Sequence, residues 1–224
     1  MIMNRINIFS LLAALFAFTI FTACDNAPEE ITNLEKKVFS SKEVPYQAVD
    51  LGLSVKWSNK NYGAGAPENV GYYMTFGCLD PNDFSAKKPD TGGNNIAGTK
   101  LDVATMQLGS GWVIPNRDQL KELCVKCSWK SVNQNNVWGF QVTGPNGNSI
   151  FIPLSGSMGT YSSSIVYDTN CVYLMSSEWI SNWSISPYYL KVYENDKFQV
   201  LFNPGSSDFP YNNYRMPIRP IYTK

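Results

Sequence analysis

The sequence predicts an α+β fold of twisted antiparallel sheets with one main flanking helix and long loops, and three observations carry that prediction. Runs of alternating hydrophobicity recur between Gly-, Asn- and Pro-rich stretches along most of the chain, the pattern of half-buried strands joined by turns. Only residues 111–127, GWVIPNRDQLKELCVKC, have a convincing helical period. With 224 residues, 44% hydrophobic and 14% aromatic, the chain is long enough to bury the core of one large domain.

Residues 1–23 read as a secretory signal: Arg5 in a short polar head, an apolar run from Ile8 to Phe21, then small Thr22 and Ala23 before Cys24. Phe21-Thr22-Ala23-Cys24 resembles a bacterial lipobox, in which the cysteine is acylated and becomes the mature N-terminus; phenylalanine in its first position departs from the commonest form. The competing reading, an uncleaved membrane span, is opposed by the shortness of the run and the lack of a following charged stop. Residues 24–45 are polar and charged, and read as a tether between the membrane and a domain over 46–224. Basic and acidic residues number 18 each. That balance offers no electrostatic reason to expect nucleic acid as a partner.

Within the domain, Val49, Leu51, Leu53, Val55 and Trp57 alternate with polar or small residues and predict a first strand. A second is predicted over GYYMTFG (71–77), with Tyr72, Met74 and Phe76 on one face. Residues 79–98 are mostly turn formers and predict a long surface excursion, and 101–108 a short helix. In the central stretch Pro115 ends an extended lead-in, Asn116 suits the N-cap with Gln119 three residues on, and Asp118 complements the helix dipole. Leu120, Leu123, Cys124 and Cys127 then form one apolar stripe. Phe140 and Val142 lead into Gly144-Pro145-Asn146-Gly147-Asn148, and Ile150, Ile152 and Leu154 lead away, which is a β-hairpin. Residues 171–175 predict another strand and 176–188 a loop. Runs 188–193 and 198–202 predict a second hairpin, 203–214 a loop, and 215–222 a closing strand whose prolines suit an edge or bulge. Trp57, Trp112 and Trp138 adjoin predicted strands and are expected in the core.

Cys124 and Cys127 form a CxxC, but the chain has no histidine and no second CxxC. A zinc site would need cysteines from scattered elements, and both thiols fall on the apolar stripe, so they read as packing residues. Pairing among Cys78, Cys124, Cys127 and Cys171 stays open from spacing alone. Without histidine, Ser-His-Asp and Cys-His devices are excluded, and no HExxH or phosphate loop occurs. Glu178 and Asp208 are the pair that glycosidase chemistry would use, yet nothing in the sequence sets them face to face. No catalytic residue, cofactor or metal site is therefore assigned.

Five segments, VDLGLSVKW (49–57), IAGTKLDVAT (96–105), GWVIPNRDQLKEL (111–123), GPNGNSIFIPLSG (144–156) and PIRPIY (217–222), resemble in content and order the Fibrobacter succinogenes major paralogous domain family of Bacteroidetes surface lipoproteins. In that family the central motif usually has arginine where Val113 stands. The resemblance covers residues 46–224 and implies a C-type-lectin-like fold with ligand contacts on long loops before the last strands, here 176–188 and 203–214. It further implies relatedness to formylglycine-generating enzymes, whose reactive cysteines have no placed counterpart here. The acids of the tether are either a solvated linker or an outer-surface export signal of such lipoproteins. The triplets of calcium-dependent lectins of this fold are absent.

Glu178, Trp179, Asn182, Trp183, Tyr188, Asp208, Tyr211, Asn212, Asn213 and Tyr214 combine aromatic faces with amide and carboxylate groups, a mixture that suits stacking on sugars or anchoring a protein; core burial of the tryptophans is the competing reading. The expectation is a non-catalytic binding module anchored to the outer membrane or cell surface through Cys24, with a glycan or surface protein as partner. The alternative is a structural accessory or tip subunit of a surface fibre or outer-membrane complex.

Overall fold

A computed structural model describes residues 45–89, 93–159, 166–180, 186–193, 198–199 and 214–224. These belong to one compact unit, Val44–Lys224. The predicted leader, Cys24, most of the tether, and Asn182, Trp183, Asp208, Tyr211, Asn212 and Asn213 lie outside the described residues.

The fold is α+β, with thirteen strands in four antiparallel sheets and two helices among the described residues. The first predicted strand is a correction. Strands β1 (Ala48–Val49) and β2 (Lys56–Ser58) pair with each other, Val49 opposite Trp57, so the chain folds back between them. Gly52 has φ 74°, outside extended geometry, and its amide donates to Asp50 Oδ1 at 2.8 Å, closing an Asx turn. The alternation survives as burial: Leu51 and Trp57 are buried while Asp50, Gly52, Ser54 and Lys56 are exposed. Hydrophobic period reports which side chains face the core, and a turn can present them as well as a strand.

The segment 71–77 is also no strand. It meets its neighbours at single points, Met74 with Met216 and Tyr72 N with Tyr62 O. Met74 and Phe76 are buried, whereas Tyr72 is 47% exposed and lies edge-on to Tyr62. The turn-rich excursion ends inside the protein: Ile96 is fully buried, and its amide donates to Ser177 O at 2.9 Å.

Helix α1 (Val103–Leu108) forms as expected. Its N-cap Asp102 is fully buried and accepts from four amides, those of Ala104, Thr105, Gly98 and Ile114, at 2.9 to 3.2 Å. One carboxylate thus satisfies the start of α1, the turn before it and the residue that follows the next strand, β3 (Trp112–Val113). Helix α2 (Arg117–Lys126) follows with its capping box formed, Gln119 N to Asn116 Oδ1 at 2.9 Å and Asn116 N to Gln119 Oε1 at 2.8 Å. Leu120 and Leu123 are buried, and Cys124 and Cys127 are half-buried against the same cluster.

Strands β4 (Ser128–Gln134), β5 (Val137–Thr143) and β6 (Ser149–Pro153) make a meander. The β5–β6 hairpin is as expected. Strand β4 is not, and its signal was the turn Asn135-Asn136, where both residues have positive φ, 51° and 65°. Trp129, Phe140, Val142, Ile150 and Ile152 share the core face of this sheet. Trp138 lies on that face too, but sits opposite Asn133 beside the Asn135-Asn136 turn and is 53% exposed. Its expected place in the core is corrected, while Trp57 is fully buried and Trp112 half-buried between Tyr46 and Tyr222.

Strands β7 (Ser157–Gly159) and β8 (Val166–Tyr167) precede β9 (Cys171–Ile180), which pairs with β10 (Ser186–Tyr193) and through it with β11 (Phe198–Gln199). The β9–β10 pair is buried on both faces. Val172, Leu174, Leu190 and Val192 join the cluster under α2; Cys171, Tyr173, Met175, Trp179 and Tyr189 join a second cluster with Met74, Phe76, Ile96, Ile114 and Met216. Residues 176–180 and 186–188, expected as loop, are therefore strand. The closing strand is split into β12 (Tyr214–Arg215) and β13 (Ile221–Tyr222), as the intervening Pro217 and Pro220 cannot donate to a ladder. Arg219 between them is fully buried and donates to Ser58 O at 3.1 Å and Phe151 O at 2.8 Å. Burial pulls its pKa down to about 9, against a rising influence from Tyr46, so it stays charged at neutral pH.

Candidate functional site

Four of the ten predicted contact residues are described: Glu178, Trp179, Tyr188 and Tyr214. They do not form an open aromatic platform. Trp179 is 8% exposed and packs edge-on against Phe76, ring centroids 5.5 Å apart. Glu178 serves the helix start, its Oε2 accepting the Arg117 amide of α2 at 3.0 Å, where a negative group complements the dipole. Tyr188 lies beneath the Arg117 guanidinium, 5.0 Å from ring centroid to cation. Tyr214 is half-buried in β12, opposite Gly159. Glu178, Trp179 and Tyr188 tie the β9–β10 sheet to its surroundings.

No match was found for this chain among family models, curated proteins or solved structures.

A different surface has the geometry of a site. The ladder registers put Lys130, Val132 and Gln134 of β4, Gly139 and Gln141 of β5, and Ser149 and Phe151 of β6 on the face of the meander away from Trp129 and Phe140. Residues of the N-terminal segment cover part of that face, and between the two layers is a solvent-open cleft of about 390 Å³. Val132, Gln134, Gln141, Ser149 and Phe151 line it from the sheet, and Val49, Asn59 and Pro67 from the covering segment. Its volume falls within the roughly 300–1,000 Å³ usual for small-molecule sites.

The lining is part apolar and part polar, and carries no charged side chain. Gln141 Nε2 donates to Ser149 Oγ at 3.3 Å. Gln134 Nε2 donates to Glu68 Oε1 at 2.7 Å, and Asn135 Nδ2 reaches the same oxygen at 2.5 Å. The Glu68 carboxyl is held below its ordinary pKa, chiefly by the Gln134 bond, against a raising effect of burial. Asn59 is already committed, accepting from Gln47 N at 3.0 Å and donating to Pro45 O at 3.2 Å, so it shapes the wall. Phe151 lies across the sheet because Gly139 has no side chain; a Cβ there would come within 2.5 Å of Phe151 Cζ and 2.4 Å of Ile152 O. Sequence reasoning missed these residues because it assigned no strand over 128–134, without which the outward positions of the meander have no common face.

Two further clusters of titratable side chains lie outside the cleft. Asp168 Oδ2 accepts from Lys191 Nζ at 2.8 Å and from Tyr173 Oη at 2.7 Å, while the Lys191 ammonium sits 4.6 Å from the Tyr193 ring centroid. Each member has a bonding partner, so the cluster reads as a latch between the β8–β9 turn and β10. The four described cysteines are free thiols. Burial raises Cys124, and raises Cys127 to about 11 with help from Glu122 and Cys124, so burial favours the protonated thiol at both positions. Among the described residues no group of three or more Cys, Asp or Glu is placed to hold a metal ion.

Proposed function

We propose that this chain is a lipid-anchored cell-surface binding module, non-catalytic and C-type-lectin-like in fold, that recognises a glycan or a surface protein. The observation that carries the binding reading is the cleft between the β4–β5–β6 meander and residues 49–67, an open recess lined by uncharged hydrogen-bonding side chains over an apolar floor. Export and anchoring rest on the apolar run before Cys24, and the fold name on the five ordered motifs. The burial of Trp179 moves the proposed recognition surface from the aromatic loops to this cleft.

Binding of the full chain in detergent to arrayed glycans and to extracted surface proteins tests the recognition half; silence towards both would sink it. Radiolabelled palmitate incorporation tests the anchor, with label expected on the wild-type chain and none on Cys24→Ala. A structural role in a surface assembly is the second reading. It is favoured by β4, which among the described residues pairs on one edge only, and an exposed edge can accept a partner's strand. Stoichiometric co-purification of a partner that a proline at Lys130 abolishes would favour it.

A further inference from the structure

We infer that the cleft on the outer face of the meander takes an uncharged sugar, one ring or a disaccharide, with its C–H face on Val132 and the exposed edge of Phe151 and its hydroxyls on Gln134, Gln141 and Ser149. This inference rests on the binding-module reading and goes beyond it in naming the ligand chemistry.

The floor and the rim select the ligand together. Half-buried Val132 of β4 offers the apolar surface, to which Phe151 of β6, only 5% exposed, adds an edge, and the amide and hydroxyl groups stand around it from neighbouring positions of the same sheet face. A pyranose has the matching division, one face of C–H groups and a rim of hydroxyls that both donate and accept. Side-chain amides serve either direction. An alkyl chain in the same place would bury amides without partners, which disfavours it. A phosphate or carboxylate ligand would find no cation among the lining residues.

One amide is oriented in advance. An ionised carboxylate only accepts hydrogen bonds, so Glu68 must draw the nitrogen of Gln134 towards itself. That leaves Gln134 Oε1 as a fixed acceptor, with no partner among the described residues. Glu68 is thus a positioning residue, acting on the ligand through Gln134. Asn135 bonds the same carboxylate oxygen and restrains it further. Immobilising this side chain before binding reduces the entropy lost when the sugar arrives.

The test uses the full-length chain in detergent with three sets of immobilised probes: mannan, laminarin and galactan as neutral polymers; polygalacturonate and heparin as acidic ones; and deglycosylated mucin as protein. The expected result is binding to at least one neutral polymer that 0.5 M NaCl leaves unchanged, as an uncharged contact requires. Gln141→Ala and Gln134→Ala should each weaken it about fivefold to tenfold, the loss of one or two hydrogen bonds. Glu68→Gln should weaken it less and Glu68→Ala as much as Gln134→Ala, since glutamine can still accept from Gln134. Unchanged thermal unfolding of Gln141→Ala, an exposed position, separates lost contact from lost fold. Neutral binding indifferent to both glutamine variants overturns the inference. Salt-sensitive binding to the acidic polymers alone, or to the protein alone, overturns the sugar assignment and leaves the binding-module reading standing. No binding to any probe, with extracted surface proteins also silent, overturns both.

Discussion

Asp168 shows how much one side chain is asked to do: it has positive φ, 52°, and its Oδ2 receives both the Lys191 ammonium and the Tyr173 hydroxyl. The Lys191 and Tyr173 bonds hold its carboxyl below the ordinary value, against burial. Burial alone would lower Lys191, yet its bonds to Asp168 and Tyr193 leave it raised. A depressed acid stabilises the fold above its unfolded-state pKa and loses that contribution as pH falls through the folded one; a raised base does the reverse at the alkaline end. Asp168→Asn is therefore expected to lower stability at pH 7 by about 1 kcal/mol, a modest figure because the carboxylate is 44% exposed and screened by solvent. The difference from wild type should begin to shrink as pH falls to about 4 and go on shrinking through the lowered folded-state value. Urea unfolding of both proteins across pH 3 to 8 measures it, and a difference that persists at the acid end would refute the assignment. Little of this network was legible in the sequence, because Asp168, Tyr173 and Lys191 meet only when β8, β9 and β10 pair.

At the scale of the element, α2 was the most legible part of the chain. Its cap, dipole partner and apolar stripe are all encoded within eleven residues of one another, so local chemistry alone specifies them. The structure adds an outside acceptor, Glu178, on the Arg117 amide. Asn116→Ala is expected to cost about 1 kcal/mol as a lost cap, and Leu123→Ala about 3 kcal/mol as a buried cavity between α2 and the β9–β10 pair. Equal losses in thermal or urea unfolding would mean that the helix is held by its cap and not by its buried face. The hairpin 137–153 was legible for the same reason, a turn signal between alternating runs. Strand-like alternation over 49–57 misled because it reported burial truly while Gly52 bent the chain.

Over the whole molecule, the β9–β10 pair is the layer on which both core clusters rest. Its central amides are expected to exchange hydrogen most slowly, those of residues 172–175 and 189–192 outlasting the amides of β1, β2 and β13, which have two- or three-residue ladders. Hydrogen exchange followed by mass spectrometry measures this, and equal protection would show that the two clusters do not depend on a common layer.

Sequence by itself determined the elements whose signals lie within one turn or one hairpin: the capping box and stripe of α2, the short helix after Asp102, the hairpin around Asn146-Gly147, and an α+β class of antiparallel sheets. Tertiary structure alone decided what distant segments do together. It buried Trp179 and the serines beside it, because two-sided burial of β9 has no period to read and Ser176 and Ser177 sit where other chain segments pass close, with Ser177 bonding both Pro115 and Ile96. It left Trp138 exposed by ending the core before the β4–β5 turn. It also made the cleft, which exists only because residues 49–67 lie over a sheet face formed some eighty residues later. A local pattern fixes which way a side chain points along its own strand; what stands opposite that side chain is a property of packing.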